Sequence, residues 1–196
     1  MNFADVLGFV ESQSFDSNRI NFLVKILPTM PAQLSVGNIA SLAKLFSFDA
    51  DRLKMVAAVL DKLESESKNN VRTLATAEVS ELLNTFSFGS DKLRALSLLA
   101  GRRTVYLDFD ILKCFSFDSE KMECCDILAQ SAVQRDRNIE VFASLFAGRK
   151  AFEYCARAFK FETECIHSTG AKFKENKQVV VLNGRDFECD EHQVIS

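Results

Sequence analysis

The chain has no tryptophan, and its 196 residues include only two prolines and seven glycines. So few turn-forming residues argue against an all-β or loop-rich fold. Neither of the glycine-rich phosphate-binding patterns, GxGxxG and the P-loop, occurs, which argues against the common nucleotide-binding loops. Secretory signals and apolar segments of membrane-spanning length are also missing, so we expect an intracellular protein, cytoplasmic or nuclear, without membrane insertion.

An excess of basic residues is missing as well. The chain has 24 basic and 27 acidic residues, for a net charge of −3, and we therefore expect no nucleic-acid partner. Phenylalanine is abundant instead, with 18 residues against two tyrosines. Because phenylalanine has no polar group, we expect most of these rings to lie in the core.

What the sequence does contain is a Ser-Phe dipeptide that occurs four times. The dipeptides are Ser14-Phe15, Ser47-Phe48, Ser87-Phe88 and Ser116-Phe117, and we call their aromatic residues the repeat phenylalanines. Apolar residues recur at spacings of three and four on both sides of each dipeptide, which is typical of amphipathic helices. A repeated pair of helices with a turn between them predicts an all-α fold, a short α-solenoid of tandem helical hairpins.

The repeats also predict the domain organisation. Residues 1–160 form the helical-repeat domain, with units of about 1–31, 32–70, 71–103 and 104–136 and a divergent unit at 137–160. In the fourth unit we expect the first helix at Val105–Cys114, although Asp108 replaces an apolar residue there. Residues 161–196 form a C-terminal extension with a β-hairpin at about 178–189, because Asn183-Gly184 separates two β-prone segments.

The residue after each repeat phenylalanine suggests how the turn is stabilised. These residues are Asp16, Asp49, Gly89 and Asp118. We expect the aspartates to cap the helices that they begin, and the preceding rings to pack on those helices as hydrophobic staples. Phe48→Ala and Phe88→Ala should then each cost about 3–5 kcal/mol, as for other large core truncations.

Two segments of the repeat carry a resemblance to a known family. One begins Phe-Ser-Phe-Asp at Phe46 and ends at Lys54, and the other begins Phe-Ser-Phe-Gly at Phe86 and ends at Leu96. They resemble the helical-repeat domain at the N-terminus of animal proline- and serine-rich proteins, which also occurs in some bacterial proteins and is catalogued as a domain of unknown function. The similarity covers roughly the first four-fifths of the chain, up to Lys160. It implies an adaptor or scaffold role near gene regulators and supplies no catalytic residues.

A basic residue stands four positions after each repeat phenylalanine. The four residues, which we call the basic row, are Arg19, Arg52, Lys92 and Lys121. If the units superpose, the basic row lies along one side of the stack and could bind an acidic peptide or phosphate groups. The alternative, which the many acids in the same turns favour, is that each cation pairs with a neighbouring acid.

The six cysteines all lie in the second half of the chain. Cys165 and His167, together with Cys189 and His192, offer two thiolates and both histidines, a set that could coordinate zinc. The alternative is unpaired thiols in an exposed tail, with no cofactor at all. Cys125 and Cys155 fall on predicted core faces, and we expect no catalytic cysteine.

These observations predict a non-enzymatic protein–protein interaction module, an adaptor or scaffold that binds a partner along the repeat face. A second hypothesis is an assembly component that pairs through its C-terminal hairpin and forms a homo-oligomer. Val179, Val180 and Val181 would then be the exposed edge. A third hypothesis is a thiol- or zinc-dependent site in the tail.

Overall fold

The computed structural model of the chain describes residues 2–30, 34–66, 75–101, 105–107, 109–129, 132–134, 138–169, 179–182 and 185–188. Over these residues the chain is mostly helical, which confirms the predicted fold at that level. None of the helices in these ranges combines the length and apolar character needed to cross a membrane. Backbone contacts divide the chain into two compact units, residues 1–104 and 105–196. The division falls where the fourth repeat was expected to begin, and the boundary expected at residue 160 stays a prediction.

The first unit consists of three helical hairpins. Its helices are α1 (Phe3–Glu11), α2 (Asp16–Ile26), α3 (Val36–Ala43), α4 (Asp49–Glu66), α5 (Thr76–Leu83) and α6 (Gly89–Ala100), with a 3-10 turn at Leu27–Thr29. The first helices of the hairpins, α1, α3 and α5, pack side by side in that order, and so do α2, α4 and α6. The hairpins therefore stack in two layers, and both layers contribute buried apolar side chains such as Ile39 and Leu96.

Two of the first helices begin at a polar residue that caps them. Asn2 caps α1 by accepting from Asp5 N at 2.9 Å, and the Asp5 carboxylate accepts in return from Asn2 N at 3.2 Å. Ser35 and Asn38 form the same reciprocal pair at the start of α3. Such pairs satisfy amides that have no partner within the helix. Both starts are thus set by local sequence.

The second unit combines four short strands with four further α-helices and a 3-10 helix among the described residues. They are β1 (Val105–Leu107), a 3-10 helix (Phe109–Cys114), α7 (Asp118–Ala129), β2 (Ala132–Gln134), α8 (Ile139–Ala143), α9 (Arg149–Ala158), α10 (Thr163–Ser168), β3 (Val179–Leu182) and β4 (Arg185–Glu188). β1 pairs with β2 in parallel, β3 with β4 antiparallel, and α9 packs on α7. Residues 183–184 and the strand side chains lie outside the described residues, so the predicted β-hairpin stays a prediction.

The prediction of a helix over Val105–Cys114 is wrong. Two short elements, β1 and the 3-10 helix, stand there instead. An apolar face that continues at helical spacing is what holds a first helix against the core, and Asp108 interrupts that pattern in the sequence. The apolar residues that follow it, such as Phe109 and Ile111, are still buried.

The repeat phenylalanines are exposed, so the prediction that they belong to the core is wrong. Their relative exposures are 69% for Phe15, 68% for Phe48, 67% for Phe88 and 55% for Phe117. The buried rings of the turns lie two residues earlier, at Phe46, Phe86 and Phe115. A hydrophobic staple requires the residue before the N-cap. Phe15 and Phe88 are themselves the N-caps of α2 and α6, one residue too late for that contact.

One phenylalanine lies at the centre of the second unit's core. Phe142 is fully buried, and five other rings surround it with centroid distances of 4.7–6.0 Å. They belong to Phe109, Phe146, Phe152, Phe159 and Phe161. Phe146 corresponds to Phe46 and Phe86, so the fifth unit keeps the core ring of its turn.

The two rings of one turn provide a stability test. We expect Phe86→Ala to lower the free energy of unfolding by about 3–5 kcal/mol because it empties a core position. Phe88→Ala, two residues later, should change it by less than about 0.5 kcal/mol because the ring is exposed. Urea unfolding followed by circular dichroism measures both. Equal losses in the two variants would show that the assignment of core and surface is wrong.

Candidate interaction site at the repeat turns

The turn between the two helices of a hairpin has one backbone form in units two, three and five. The amides of Phe46, Phe86 and Phe146 each donate to the carbonyl three residues earlier at 3.1 Å. The chain is extended at the N-cap position, with φ −107° and ψ 140° at Phe88 and φ −116° and ψ 142° at Gly148. The fifth unit therefore keeps the turn although it has lost the Ser-Phe dipeptide.

The aspartate after a repeat phenylalanine accepts two hydrogen bonds from the turn of the following unit. The bonds run from Ser47 N to Asp16 Oδ2 (2.7 Å), Phe48 N to Asp16 Oδ2 (3.4 Å), Ser87 N to Asp49 Oδ2 (2.8 Å) and Phe88 N to Asp49 Oδ2 (3.2 Å). We call each such pair an inter-turn bridge. The donors are amides at the start of a helix, which have no partner within it.

The compact unit of residues 105–196 contains the same inter-turn bridge, between the fourth and fifth repeats. Asp118 Oδ2 accepts from Ala147 N at 2.9 Å and from Gly148 N at 2.7 Å. The carboxylate is almost fully buried. Because the donors are backbone amides, the accepting turn does not need the Ser-Phe dipeptide. This is why the divergent fifth unit can be joined in the same way.

The aspartates were expected to cap their own helices, and for Asp16 this is wrong. The N-cap of α2 is Phe15, and no side chain caps that helix. A capping oxygen must come from the N-cap residue to reach the amides two and three positions later. Asp16 stands one residue too late for this geometry, and its carboxylate reaches the next turn instead.

Gly89 replaces the aspartate in the third unit and provides no carboxylate for an inter-turn bridge. At the following turn, Ser116 N and Phe117 N donate to Glu120 Oε2 at 3.1 and 3.2 Å. The cap of this turn is therefore local, from a residue three positions after the phenylalanine. The division of the chain at residues 104–105 falls between Gly89 and this turn.

Three members of the basic row lie against the carboxylates of the inter-turn bridges. The ion pairs are Arg19–Asp16 at 2.9 Å, Arg52–Asp49 at 2.5 Å and Lys121–Asp118 at 3.4 Å. Arg19 also donates to the carbonyl of Leu45, and Lys121 to that of Leu145, in the next unit. Lys92 makes an interaction within the chain as well. Binding of an acidic ligand by the basic row stays a prediction, and Arg19, Arg52 and Lys121 expose little surface for it.

Exposed apolar side chains are concentrated at the turns. Among the described residues, seven large apolar side chains are exposed, and four of them are the repeat phenylalanines. The sequence does contain a signal for the exposure of the repeat phenylalanines. The buried Phe46 continues the helical spacing from Leu42 and Ala43, whereas Phe48 breaks it.

The predicted zinc ligands are only partly within the described residues. Cys165 and His167 are both exposed on α10, while Cys189 and His192 lie outside those residues. Within the described part, no three histidine, cysteine or acidic side chains are grouped so as to hold a metal ion. Zinc binding stays a prediction. So does pairing through Val179–Val181, which belong to β3 and whose side chains are not described.

Three thiols are buried between α7 and α9. Burial raises the pKa of Cys124 and of Cys125 well above the ordinary value, and it raises the pKa of Cys155. Cys125 and Cys155 also share a hydrogen bond between their thiols. The thiolate is the nucleophilic form of cysteine. These three side chains are therefore neutral core residues at neutral pH.

Comparisons with known proteins add one finding. The model of a family described as a domain of unknown function, DUF4476, matches residues 1–63, which include α1, α2, α3 and most of α4. No curated protein and no solved structure matches the chain. The family match agrees with the expected kind of domain. The wider resemblance up to Lys160, and the context of animal proline- and serine-rich proteins, stay predictions.

The inter-turn bridge predicts that two aspartates of α4 differ sharply in importance. Asp49→Ala leaves the part-buried Arg52 without its carboxylate partner and removes the buried acceptor of two amides, so we expect a loss of about 3 kcal/mol in the free energy of unfolding. Asp51→Ala, which removes an ion pair with the exposed Lys54, should cost less than about 1 kcal/mol. Urea unfolding of both variants measures the difference, and comparable losses would argue against the bridge.

The buried thiols predict a decline of stability at alkaline pH. Unfolded thiols ionise with a pKa of about 8.5, whereas burial raises the folded pKa. The contribution is therefore fully present below pH 8.5 and is lost as the pH rises, by up to about 1.4 kcal/mol per pH unit for each thiol. Cys124→Ala should make the decline between about pH 8.5 and 10 less steep, and Cys165→Ser, at an exposed site, should not. Equal slopes of unfolding free energy against pH would contradict the assignment.

Proposed function

We propose that the chain is a non-enzymatic protein–protein interaction module, an adaptor or scaffold. We further propose that it binds its partner through the row of Phe15, Phe48 and Phe88 on the first unit, which we call the phenylalanine edge. One observation carries the proposal: these three rings are 67–69% exposed at the same position of three consecutive turns. Single exposed apolar side chains are normal, whereas repeated ones that form a patch mark interaction sites.

The backbone of the phenylalanine edge is held in place before a partner arrives. The amide of Phe48 donates to Asp16 and that of Phe88 to Asp49, and the carbonyls of both phenylalanines accept the first hydrogen bonds of α4 and α6. Aromatic side chains on a fixed backbone have few torsions left to lose on binding. The phenylalanine edge therefore suits recognition of another protein surface.

We also propose that the repeats together form a short α-solenoid, as the sequence predicts. The stacked hairpins of the first unit support it, and so does the same turn form in the fifth unit. Stacked hairpins expose one edge of turns along their whole length, which gives a partner several equivalent contacts.

Position-specific photo-crosslinking in cells tests the phenylalanine edge. With a photoreactive phenylalanine analogue at position 48 or 88, we expect both positions to give an adduct with the same protein. Position 24, an exposed valine of α2, is the matched control and should not give it. An excess of the unlabelled chain should compete, whereas its Phe48→Ala/Phe88→Ala variant should not.

Two outcomes would contradict the proposal. The first is the same adduct from position 24 as from positions 48 and 88. The second is equal competition by the double variant, which should still fold because both of its truncated rings are exposed. An adduct of twice the chain mass would identify the partner as a second copy.

A further inference from the structure

The inter-turn bridge sets the spacing of the phenylalanine edge. Asp16 Oδ2 lies 3.4 Å from Phe48 N, and Asp49 Oδ2 lies 3.2 Å from Phe88 N. One aspartate side chain and one hydrogen bond thus join consecutive turns, which limits the Cα separation of neighbouring repeat phenylalanines to about 12 Å. The helices that carry them pack side by side, at an axis distance of about 8–10 Å. The step is therefore about 10 Å in both cases, although 33 residues separate positions 15 and 48 and 40 separate positions 48 and 88.

The residues directly before and after these rings carry no exposed charge. The residues before them are exposed serines, and the carboxylates after Phe15 and Phe48 are used in the inter-turn bridges. The nearest exposed charges with equivalent positions are Lys54 and Arg94, one and a half turns into α4 and α6. Their acidic partners, Asp51 and Asp91, are much less exposed. The rings themselves are thus flanked by uncharged surface, and at these equivalent positions of α4 and α6 the exposed charge is basic.

We infer that the partner places an amphipathic α-helix on the phenylalanine edge, with apolar side chains every seven residues and acidic side chains beside them. This inference rests on the proposed function. Seven residues of an α-helix rise about 10.5 Å and return to nearly the same face, which matches the step between the rings. In a β-strand, three residues span about 10 Å, but the third points to the opposite face. Acidic flanks on the helix complement Lys54 and Arg94.

Three synthetic alanine-based helices, each labelled with a fluorophore, test the inference. The first carries three leucines seven residues apart with flanking glutamates. The second carries its leucines eleven residues apart, which keeps one face but lengthens the step. The third has lysines in place of the glutamates of the first. Fluorescence anisotropy with the whole chain gives the affinities.

We expect the first helix to bind at least about tenfold more tightly than the other two. Phe48→Ala should weaken its binding by about tenfold, because that change truncates a central aromatic contact. Val24→Ala should have no effect, since the valine is exposed on α2 and is not one of the repeat phenylalanines. Equal affinity for the seven- and eleven-residue spacings, or binding that does not depend on Phe48, would overturn the inference.

The two proposals fail in different ways. If positions 48 and 88 give the specific adduct in cells but the first helix neither binds nor competes, the interaction site stands and the helical partner is wrong. If neither the adduct nor helix binding is found, both proposals are wrong. Binding of the first and third helices with equal affinity would remove the acidic flanks from the inference.

Discussion

The hydrogen bonds from an aspartate to the next turn are the interaction on which the stack depends. A buried carboxylate is costly by itself, and so are helix-start amides without partners. The inter-turn bridge cancels both costs in one contact. Asp49 accepts from the amides of Ser87 and Phe88 and pairs with Arg52, so that its charge is balanced and hydrogen-bonded. Repeats one, two and four thus each supply the acceptor that the turn of the next repeat needs.

The same need for an acceptor explains where the succession of inter-turn bridges is interrupted. Gly89 has no carboxylate, and the following turn takes its acceptor from Glu120 of its own unit. The division of the chain into two compact units falls after this substitution, between residues 104 and 105. Asp118 then restores the bridge to the turn at Ala147, although the Ser-Phe dipeptide is gone there. The acceptor residue, more than the dipeptide, therefore marks which neighbouring turns are joined.

How much was predictable depends on how local each interaction is. The starts of α1 and α3 follow from Asn2 and Ser35 because their partners lie three residues away. The hydrogen-bond partner of Asp16 could not be predicted from the sequence, because Ser47 lies 31 residues away and donates through its backbone amide. The exposure of Phe48 was missed for a different reason: the ring was placed at a staple position, one residue from the N-cap, although it breaks the helical spacing that the buried Phe46 continues. The turn at Gly148 lacks the Ser-Phe dipeptide, although Gly148 itself marks the break between two helices and Phe146 keeps the core ring.

The exposed rings are not explained by stability, since Phe46 and Phe86 already fill the core side of their turns. Exposed aromatic residues that repeat along one edge favour association. The inter-turn bridge also draws the carboxylates of Asp16 and Asp49 inward, so that they do not place negative charge beside the rings. The contact that joins the hairpins therefore also leaves a neutral, regularly spaced row of phenylalanines at the surface. A purely structural role would require the joined hairpins but not the exposed row of rings, and this difference supports the proposal that the row recognises a partner.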